Sequence, residues 1–175
     1  MSAFYPDRVK EVVESKLTSS DPIEKYIATF SIQYLVFKRF SYLLNFSSLL
    51  KNLVPLMHEK DWALRKAVFS SLNAIACNIP KCLVTEDKEL TSKFYINFKE
   101  NLKFSEENVQ TLDLGQFKHR VDNSLNTRLA AFSLLETLSE SCKDIADFDT
   151  SLFVDGIKLG LSKFLHSQSL FTFSY

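Results

Sequence analysis

The segment DWALRKAVFSSLNAI, residues 61–75, has a second copy in SLNTRLAAFSLLETL, residues 124–138. This alignment places Arg65 on Arg128, Ala67 on Ala130 and Phe69 on Phe132, and Leu72 then falls on Leu135. A weaker third copy, about 39 residues before the first, has Ala28 and Phe30 at the matching positions. A repeat of about 40 residues is typical of HEAT-type helical hairpins, which bury their apolar faces only when they stack.

Apolar residues recur at helical spacing along the chain and predict about seven amphipathic helices joined by short loops. Asp21-Pro22 and Asp61 are predicted helix starts, and Pro80 is predicted to end the helix that Asp61 begins. The stripe of the second helix is Ile23, Ile27, Phe30, Tyr34 and Phe37, and that of the seventh is Phe153, Ile157, Leu161 and Phe164. Phenylalanines in such stripes are expected in the core, whereas Arg65 and Arg128 are expected at the solvent edge. The predicted fold class is all-α: a HEAT-type α-solenoid of three antiparallel helix pairs and one further helix.

The composition supports helices and argues against several functions. Only 3 Gly and 4 Pro accompany 46% hydrophobic residues, and 21 Lys+Arg balance 21 Asp+Glu. A net charge of zero argues against nucleic acid as a partner, and no apolar run reaches about 18 residues, so no membrane span is expected. The cysteines Cys77, Cys82 and Cys142 fit no metal-ligand spacing and are expected to be reduced packing thiols. Because no secretory signal is visible, the chain is expected in the cytoplasm, the nucleus or both.

The sequence predicts no catalytic residues, no metal and no cofactor. His58, His119 and His166 are too far apart in the repeat pattern to form one site. Glycine-rich phosphate loops, metal-binding histidine pairs and nucleophile elbows do not occur. We therefore do not expect an enzyme.

Residues 105–122 interrupt the helical pattern, since the two best repeats are 63 residues apart, about 23 more than one HEAT period. Apolar and polar residues alternate here, and Gly115-Gln116 can form a two-residue type II′ turn. The resulting β-hairpin pairs Leu114 with Phe117, Asp113 with Lys118, Leu112 with His119, Thr111 with Arg120, and Gln110 with Val121. One face then carries Leu112, Leu114, Phe117, His119 and Val121. The other face carries the opposite charges of Asp113 and Lys118.

An isolated two-stranded hairpin is marginally stable in water, so its apolar face must pack on the solenoid or on another protein. Both interpretations stay open. The hairpin is either a plug over the groove between helices or a protruding arm that inserts into a partner. In the second case apolar side chains anchor the arm, and Lys118 and Arg120 set its register and orientation.

The segment LGQFKHRVDNSLNTRLAAF, residues 114–132, closely resembles the C-terminal domain of the cullin-associated and neddylation-dissociated proteins. The family pattern is Gly-Pro-Phe-Lys-His-x-Val-Asp-Asp-Gly-Leu followed by Arg-Lys-Ala-Ala-Phe-Glu, and residues 154–161 echo a later Asp-Gly-Leu segment. Gln116 stands where the family has proline, Asn123-Ser124 where it has Asp-Gly, and Leu129 where it has lysine. The similarity is clearest over about 112 to 161 and fainter over about 46 to 104.

The resemblance implies a HEAT solenoid that wraps the cullin scaffold of a cullin-RING ubiquitin ligase lacking its ubiquitin-like modifier. In that family a hairpin occupies the cullin surface where the substrate-receptor adaptor docks, and this competition drives receptor exchange. On this chain the implied partner-binding residues are those of the arm: Leu112, Asp113, Leu114, Phe117, Lys118, His119, Arg120 and Val121, with Gly115 and Gln116 as the turn. The expected organisation is helical pairs over 1–104, the hairpin over 105–122, and HEAT-type helices over 123–175.

Two alternatives remain. A generic HEAT scaffold would bind another partner through its concave helical surface. The chain is also much shorter than the family's long solenoids, and its C-terminal residues lack a polar cap. It is therefore expected to be a fragment without autonomous activity, or to associate with a companion chain that carries the missing repeats.

Overall fold

A computed structural model describes residues 6–39, 44–83, 87–113, 115, 118–141, 151, 154–156 and 158–159. The helices are α1 (Pro6–Leu17), α2 (Pro22–Phe37), α3 (Phe46–Leu56), α4 (Trp62–Asn78), α5 (Lys88–Leu102) and α6 (Leu125–Ser141). Between α5 and α6 lie the strands β1 (Val109–Asp113) and β2 (Lys118–Asp122), and short 3₁₀ turns cover Pro80–Leu83 and Glu106–Asn108. The described residues between 151 and 159 are also helical.

The helices form two layers, which confirms the predicted all-α, HEAT-like fold with one small antiparallel sheet. In one layer α4 lies between α2 and α6, and in the other α3 lies between α1 and α5. Each consecutive pair contributes one helix to each layer. This arrangement is the one expected of stacked helical repeats.

Side-chain caps determine where the main helices begin, as the sequence predicted. The Asp21 carboxylate accepts the backbone N–H of Ile23 at 2.9 Å, and the Asp61 carboxylate accepts that of Ala63 at 2.7 Å. Such caps satisfy N–H groups that have no partner within the helix. Helix α4 ends at Asn78, and Pro80 begins the following 3₁₀ turn, so the predicted stop at proline is also confirmed.

The core is a continuous apolar layer between the two sets of helices. Phe69 and Phe98 are fully buried, with ring centroids 5.9 Å apart, and Phe94 stacks on Phe98 at 5.8 Å. Aromatic pairs at these separations add to the stabilisation that burial alone provides. These rings join α4 to α5.

The stripe predicted for the second helix exists, but it was wrong to expect its two phenylalanines in the core. All five predicted side chains are exposed: Ile23, Ile27, Phe30, Tyr34 and Phe37. Helix α2 packs instead through a second face, which contains Ala28, Thr29, Ile32 and Val36. The helix caps explain why the alignment misplaced these residues. Asp21 and Asp61 cap corresponding helices and are 40 residues apart, whereas the sequence alignment used an offset of about 39. Ala28 therefore corresponds to Val68, one position away from the sequence alignment.

One prediction about a single side chain is met only in part, and one is wrong. Arg65 is half-buried: its guanidinium stacks on the Trp62 ring at 4.2 Å and donates to the backbone carbonyl groups of His58 and Glu59. Cys77 is exposed rather than a buried packing thiol, and its Sγ lies 3.9 Å from Thr137 Oγ1 of α6. Cys82 is half-buried, and burial raises the pKa of its thiol. Cys142 lies outside the described residues.

The helical residues after α6 pack on α5 and α6. The Lys99 ammonium lies 2.6 Å from the Asp155 carboxylate, and Gly156 is buried against Leu135. A Cβ atom on Gly156 would clash with Leu135 Cδ2. The residues predicted for this helix, Phe153, Ile157, Leu161 and Phe164, lie outside the described part of the chain.

Replacing Gly156 by valine should therefore destabilise the fold. We expect the free energy of unfolding to fall by about 2 kcal/mol, because the added carbons must displace a packed leucine side chain. Urea unfolding followed by circular dichroism measures this change. Val154 is exposed, so Val154→Ala should stay within about 0.5 kcal/mol of the wild type. Equal effects of the two substitutions would contradict the close packing of Gly156.

Candidate partner-binding hairpin

The two strands pair in the register that the alternating pattern predicted. The Cα partners are Val109 with Asp122, Gln110 with Val121, Thr111 with Arg120, Leu112 with His119, and Asp113 with Lys118. Gly115 has a φ of 82°, and a positive φ is what a type II′ turn needs at its first central position. Leu114, Gln116 and Phe117 lie outside the described residues.

The strands form an arm that extends away from the helices, and we call residues 109–122 the β-arm. Side chains on both faces are exposed from Gln110 to Asp113 and from Lys118 to Arg120. Leu112 is 46% exposed, and partial burial begins only at Val109 and Val121. Five-residue strands extend about 17 Å. The described strands thus have the geometry of a protruding arm and not of a plug.

A buried ion pair holds the base of the β-arm. The Arg128 guanidinium lies 2.8 Å from the Asp122 carboxylate, and its side chain is only 7% exposed. The Ser124 hydroxyl donates to Asp122 at 2.6 Å and accepts from Arg128 at 3.1 Å. Charge-assisted hydrogen bonds of this kind fix geometry more firmly than neutral ones. Asp122, at the end of β2, is thereby attached to the first turn of α6.

The same region connects the β-arm to α4 and α5. The Arg128 guanidinium lies over the Phe104 ring at 5.2 Å, and the Thr127 hydroxyl donates to the Trp62 carbonyl at 3.1 Å. The backbone N–H of Asn123 donates to the Asn108 carbonyl at 3.0 Å, which closes the base of the arm. These contacts orient the arm relative to the helical layers.

A further ion pair lies on the outer surface of the base, between the side chains of Arg120 and Glu106. Both side chains are more than half exposed. Pairs in contact with water contribute little to stability because solvent screens their charges. This pair therefore affects the direction of Arg120 more than the stability of the fold.

The protonation of Asp122 reflects opposing effects. Burial alone would raise the pKa of this carboxyl group. The Ser124 hydrogen bond and the Arg128 charge lower it by more, so the pKa lies below its usual value. Asp122 is therefore ionised at neutral pH, as the ion pair requires.

Arg128 is the site residue whose role the sequence reasoning misjudged. Arg128 is buried and paired with the partly buried Asp122 rather than at the solvent edge. The signal was available, because Asp122 precedes α6 in the same motif and supplies an acidic partner for an arginine in the first turn. Helical periodicity alone does not detect a pair that joins a strand to a helix.

A second candidate surface is a groove of about 350 Å³ that crosses α2, α4 and α6. Its lining is mostly amide, hydroxyl and aliphatic: Gln33, Lys66, Ser70, Asn73, Asn126, Leu129, Ala130 and Ser133. This groove is the surface that a generic HEAT scaffold would use.

The described residues contain no group of three or more histidine, cysteine or acidic side chains arranged to hold a metal ion. Within the same ranges, no helix has the length and apolar character needed to cross a membrane. His58 and His119 are both exposed, whereas His166 lies outside the described residues.

Known proteins are similar to this chain over a region that includes the β-arm and α6. A family model described as "TATA-binding protein interacting (TIP20)" matches residues 88–166. Cullin-associated NEDD8-dissociated protein 1 of Dictyostelium discoideum is 28% identical over 162 residues, which is 90% of this chain. The protein of the same name from Arabidopsis thaliana is 28% identical over 163 residues, or 92% of the chain.

Cullin-associated NEDD8-dissociated protein 2 of Mus musculus is 26% identical over 105 residues, which is 60% of the chain and 8% of that protein. The chain spans about 13% of the length of the Dictyostelium and Arabidopsis relatives. These matches confirm the resemblance of this chain to the cullin-associated NEDD8-dissociated family.

Proposed function

We propose that this chain is a non-catalytic binding module for the cullin scaffold of a cullin-RING ubiquitin ligase. Its β-arm would occupy the cullin surface where the substrate-receptor adaptor docks, so that the two compete. The observation that carries the proposal is the β-arm itself, which extends from the helices with both faces exposed and with its base anchored. The sequence similarity to the cullin-associated relatives supports the choice of partner.

The exposed chemistry of the β-arm suits a protein surface. Leu112 offers an apolar side chain that is free to enter a pocket, as do the anchor residues of many interfaces. The opposite face carries Asp113 and Lys118 as a cross-strand pair, with Arg120 beside them. Charges around an apolar anchor mainly set orientation and the rate of association.

The anchored base lowers the cost of binding. A flexible loop loses conformational freedom when it enters a partner, and this loss reduces affinity. In the β-arm, the pair of Asp122 with Arg128 and the hydrogen bond between Asn123 and Asn108 have already fixed the direction of the strands. The arm would therefore meet the cullin in a preorganised conformation. A cullin partner would place the chain in the cytoplasm or the nucleus.

A competition assay tests the proposal. Unmodified cullin-RING scaffold carrying a labelled adaptor is titrated with the chain, and adaptor release is measured by fluorescence anisotropy. We expect Leu112→Asp to weaken competition by about tenfold or more, because a desolvated carboxylate would replace the apolar anchor. Circular dichroism should show unchanged helix content, because Leu112 lies outside the core.

The matched control is Leu129→Asp, which makes the same change at a similarly exposed leucine of α6 that lines the groove. We expect this variant to compete like the wild type. The reverse outcome, with Leu129→Asp inactive and Leu112→Asp active, would favour the generic scaffold that binds through its groove. A chain that never displaces the adaptor would contradict the proposal and favour a fragment that needs a companion chain.

A further inference from the structure

The groove across α2, α4 and α6 contains two amide side chains that the fold itself does not use. Gln33 of α2 and Asn73 of α4 both line this groove. They occupy equivalent positions, because the caps of their helices, Asp21 and Asp61, are also 40 residues apart. Neither amide makes a hydrogen bond within the described part of the chain. Two equivalent amides on neighbouring helices are therefore available to a ligand.

The amide of Asn73 is unfavourable for the free protein. Its Oδ1 is buried and has no hydrogen-bond partner among the described residues. Such an acceptor has lost contact with water without gaining a donor. Amides on α5, by contrast, support the fold: Asn101 donates to the Met57 carbonyl at 3.0 Å, and Asn97 donates to the Val54 carbonyl at 3.1 Å. The contacts of Asn73 give it no comparable structural role.

The other polar groups of the groove also occur at equivalent positions. Ser70 of α4 and Ser133 of α6 both line it, and they are 63 residues apart, as are the starts of the two helices. Ser70 lies about one helical turn from Asn73. Lys66 is the one charged side chain among the described lining residues, and it forms no ion pair within the described ranges. The groove thus combines uncharged donors and acceptors with a single positive charge.

We propose that this groove binds the main chain of an extended polypeptide segment, with an acidic side chain of that segment placed at Lys66. An extended chain presents backbone N–H and C=O groups at regular intervals, and a side-chain amide can both donate and accept. Hydrogen bonds to the main chain provide affinity without selecting a sequence, whereas side-chain contacts provide specificity. Gln33 and Asn73 would supply the first kind of contact, and Lys66 would supply the second.

The dimensions and charge of the groove suit a polypeptide. Packed helices lie about 8–10 Å apart, so a path from α2 across α4 to α6 covers about 16–20 Å. Five or six extended residues span about the same distance. A nucleic acid would need several cations along this path, and the described lining offers only Lys66. The inference does not depend on the proposed cullin binding, because no described residue of the β-arm lines the groove.

A phage library of linear peptides of about twelve residues, selected on the full chain, tests the proposal. We expect the enriched peptides to share an acidic residue. Their affinity for Lys66→Glu, measured by fluorescence anisotropy, should fall by about tenfold or more, because like charges then meet. Lys93→Glu makes the same change at an exposed lysine of α5 and should leave the affinity unchanged. Failure to enrich any peptide, or equal losses from the two variants, would overturn the inference.

The variant Leu112→Asp separates this site from the proposed cullin contact. Leu112 lies on the β-arm, so peptide affinity should stay at the wild-type value even where competition with the adaptor is lost. Loss of peptide binding in this variant would place the peptide on the β-arm and would contradict the inference.

Asn73→Ala tests recognition of the main chain. We expect peptide affinity to fall by about tenfold, while the melting temperature stays the same or rises, because the unpaired acceptor is removed. Asn101→Ala should instead lower the melting temperature, since Asn101 supports the fold. N-methylation of the enriched peptide at successive residues should weaken binding at some positions. Full affinity for Asn73→Ala, or tolerance of N-methylation at every position, would contradict main-chain recognition.

Discussion

Replacing Arg128 by methionine should lower the free energy of unfolding by about 3 to 5 kcal/mol. Methionine keeps most of the side-chain volume, but it leaves the Asp122 carboxylate, whose side chain is 15% exposed, without its cationic partner. A buried charge that loses its partner retains the cost of desolvation without the compensating attraction. The substitution also removes the guanidinium from the Phe104 ring. Urea unfolding monitored by circular dichroism measures the effect.

Arg120→Met is the matched control, since it removes an arginine from an ion pair at the surface of the same hairpin. The side chains of Arg120 and Glu106 are 57% and 66% exposed, so we expect a change below about 1 kcal/mol. Adding Asp122→Asn to Arg128→Met should recover part of the lost stability, because the unpaired charge is then absent. Equal losses from the two arginine substitutions would show that the buried pair does not hold the base of the β-arm.

Leu134→Ala should cost about 2 to 5 kcal/mol of unfolding free energy. Leu134 is fully buried on α6, and its truncation leaves a cavity that the surrounding helices fill only in part. The same helix carries a control in Leu129, which is 56% exposed. We expect Leu129→Ala to stay within about 0.5 kcal/mol of the wild type.

The comparison of these two leucines tests the assignment of faces on α6. Thermal unfolding by calorimetry, at one protein concentration for all variants, gives the shift in melting temperature of each. A large loss from Leu129→Ala and a small one from Leu134→Ala would mean that α6 packs through the opposite face. The repeat correspondence between α4 and α6 would then fail as well.

Features that depend on neighbouring residues were predictable from the sequence. The caps at Asp21 and Asp61 follow from the short reach of a carboxylate to the next N–H groups. The hairpin register follows from the alternation of side chains and the turn at Gly115, which together leave a single pairing in which apolar residues share one face. These parts of the fold and of the site need no knowledge of the rest of the chain.

Features that depend on distant contacts were not predictable. The spacing of Ile23, Phe30 and Phe37 shows that these residues share a face, but not whether another helix covers that face. The burial of Arg128 results from the folding of β2 against α6, which brings Asp122 to it. The residues that the resemblance implies for cullin contact remain a prediction, since a partner surface is defined only together with the partner.

The hydrogen bond between Asn123 and Asn108 has a consequence for the evolution of this repeat. Since these two residues are in contact, α5 and α6 are connected in space as if by a short loop, whatever the length of the chain between them. Insertions or deletions of residue pairs at the tip therefore change the reach of the hairpin without altering how the helices meet. A lineage can adjust its recognition element by such steps while the scaffold stays constant.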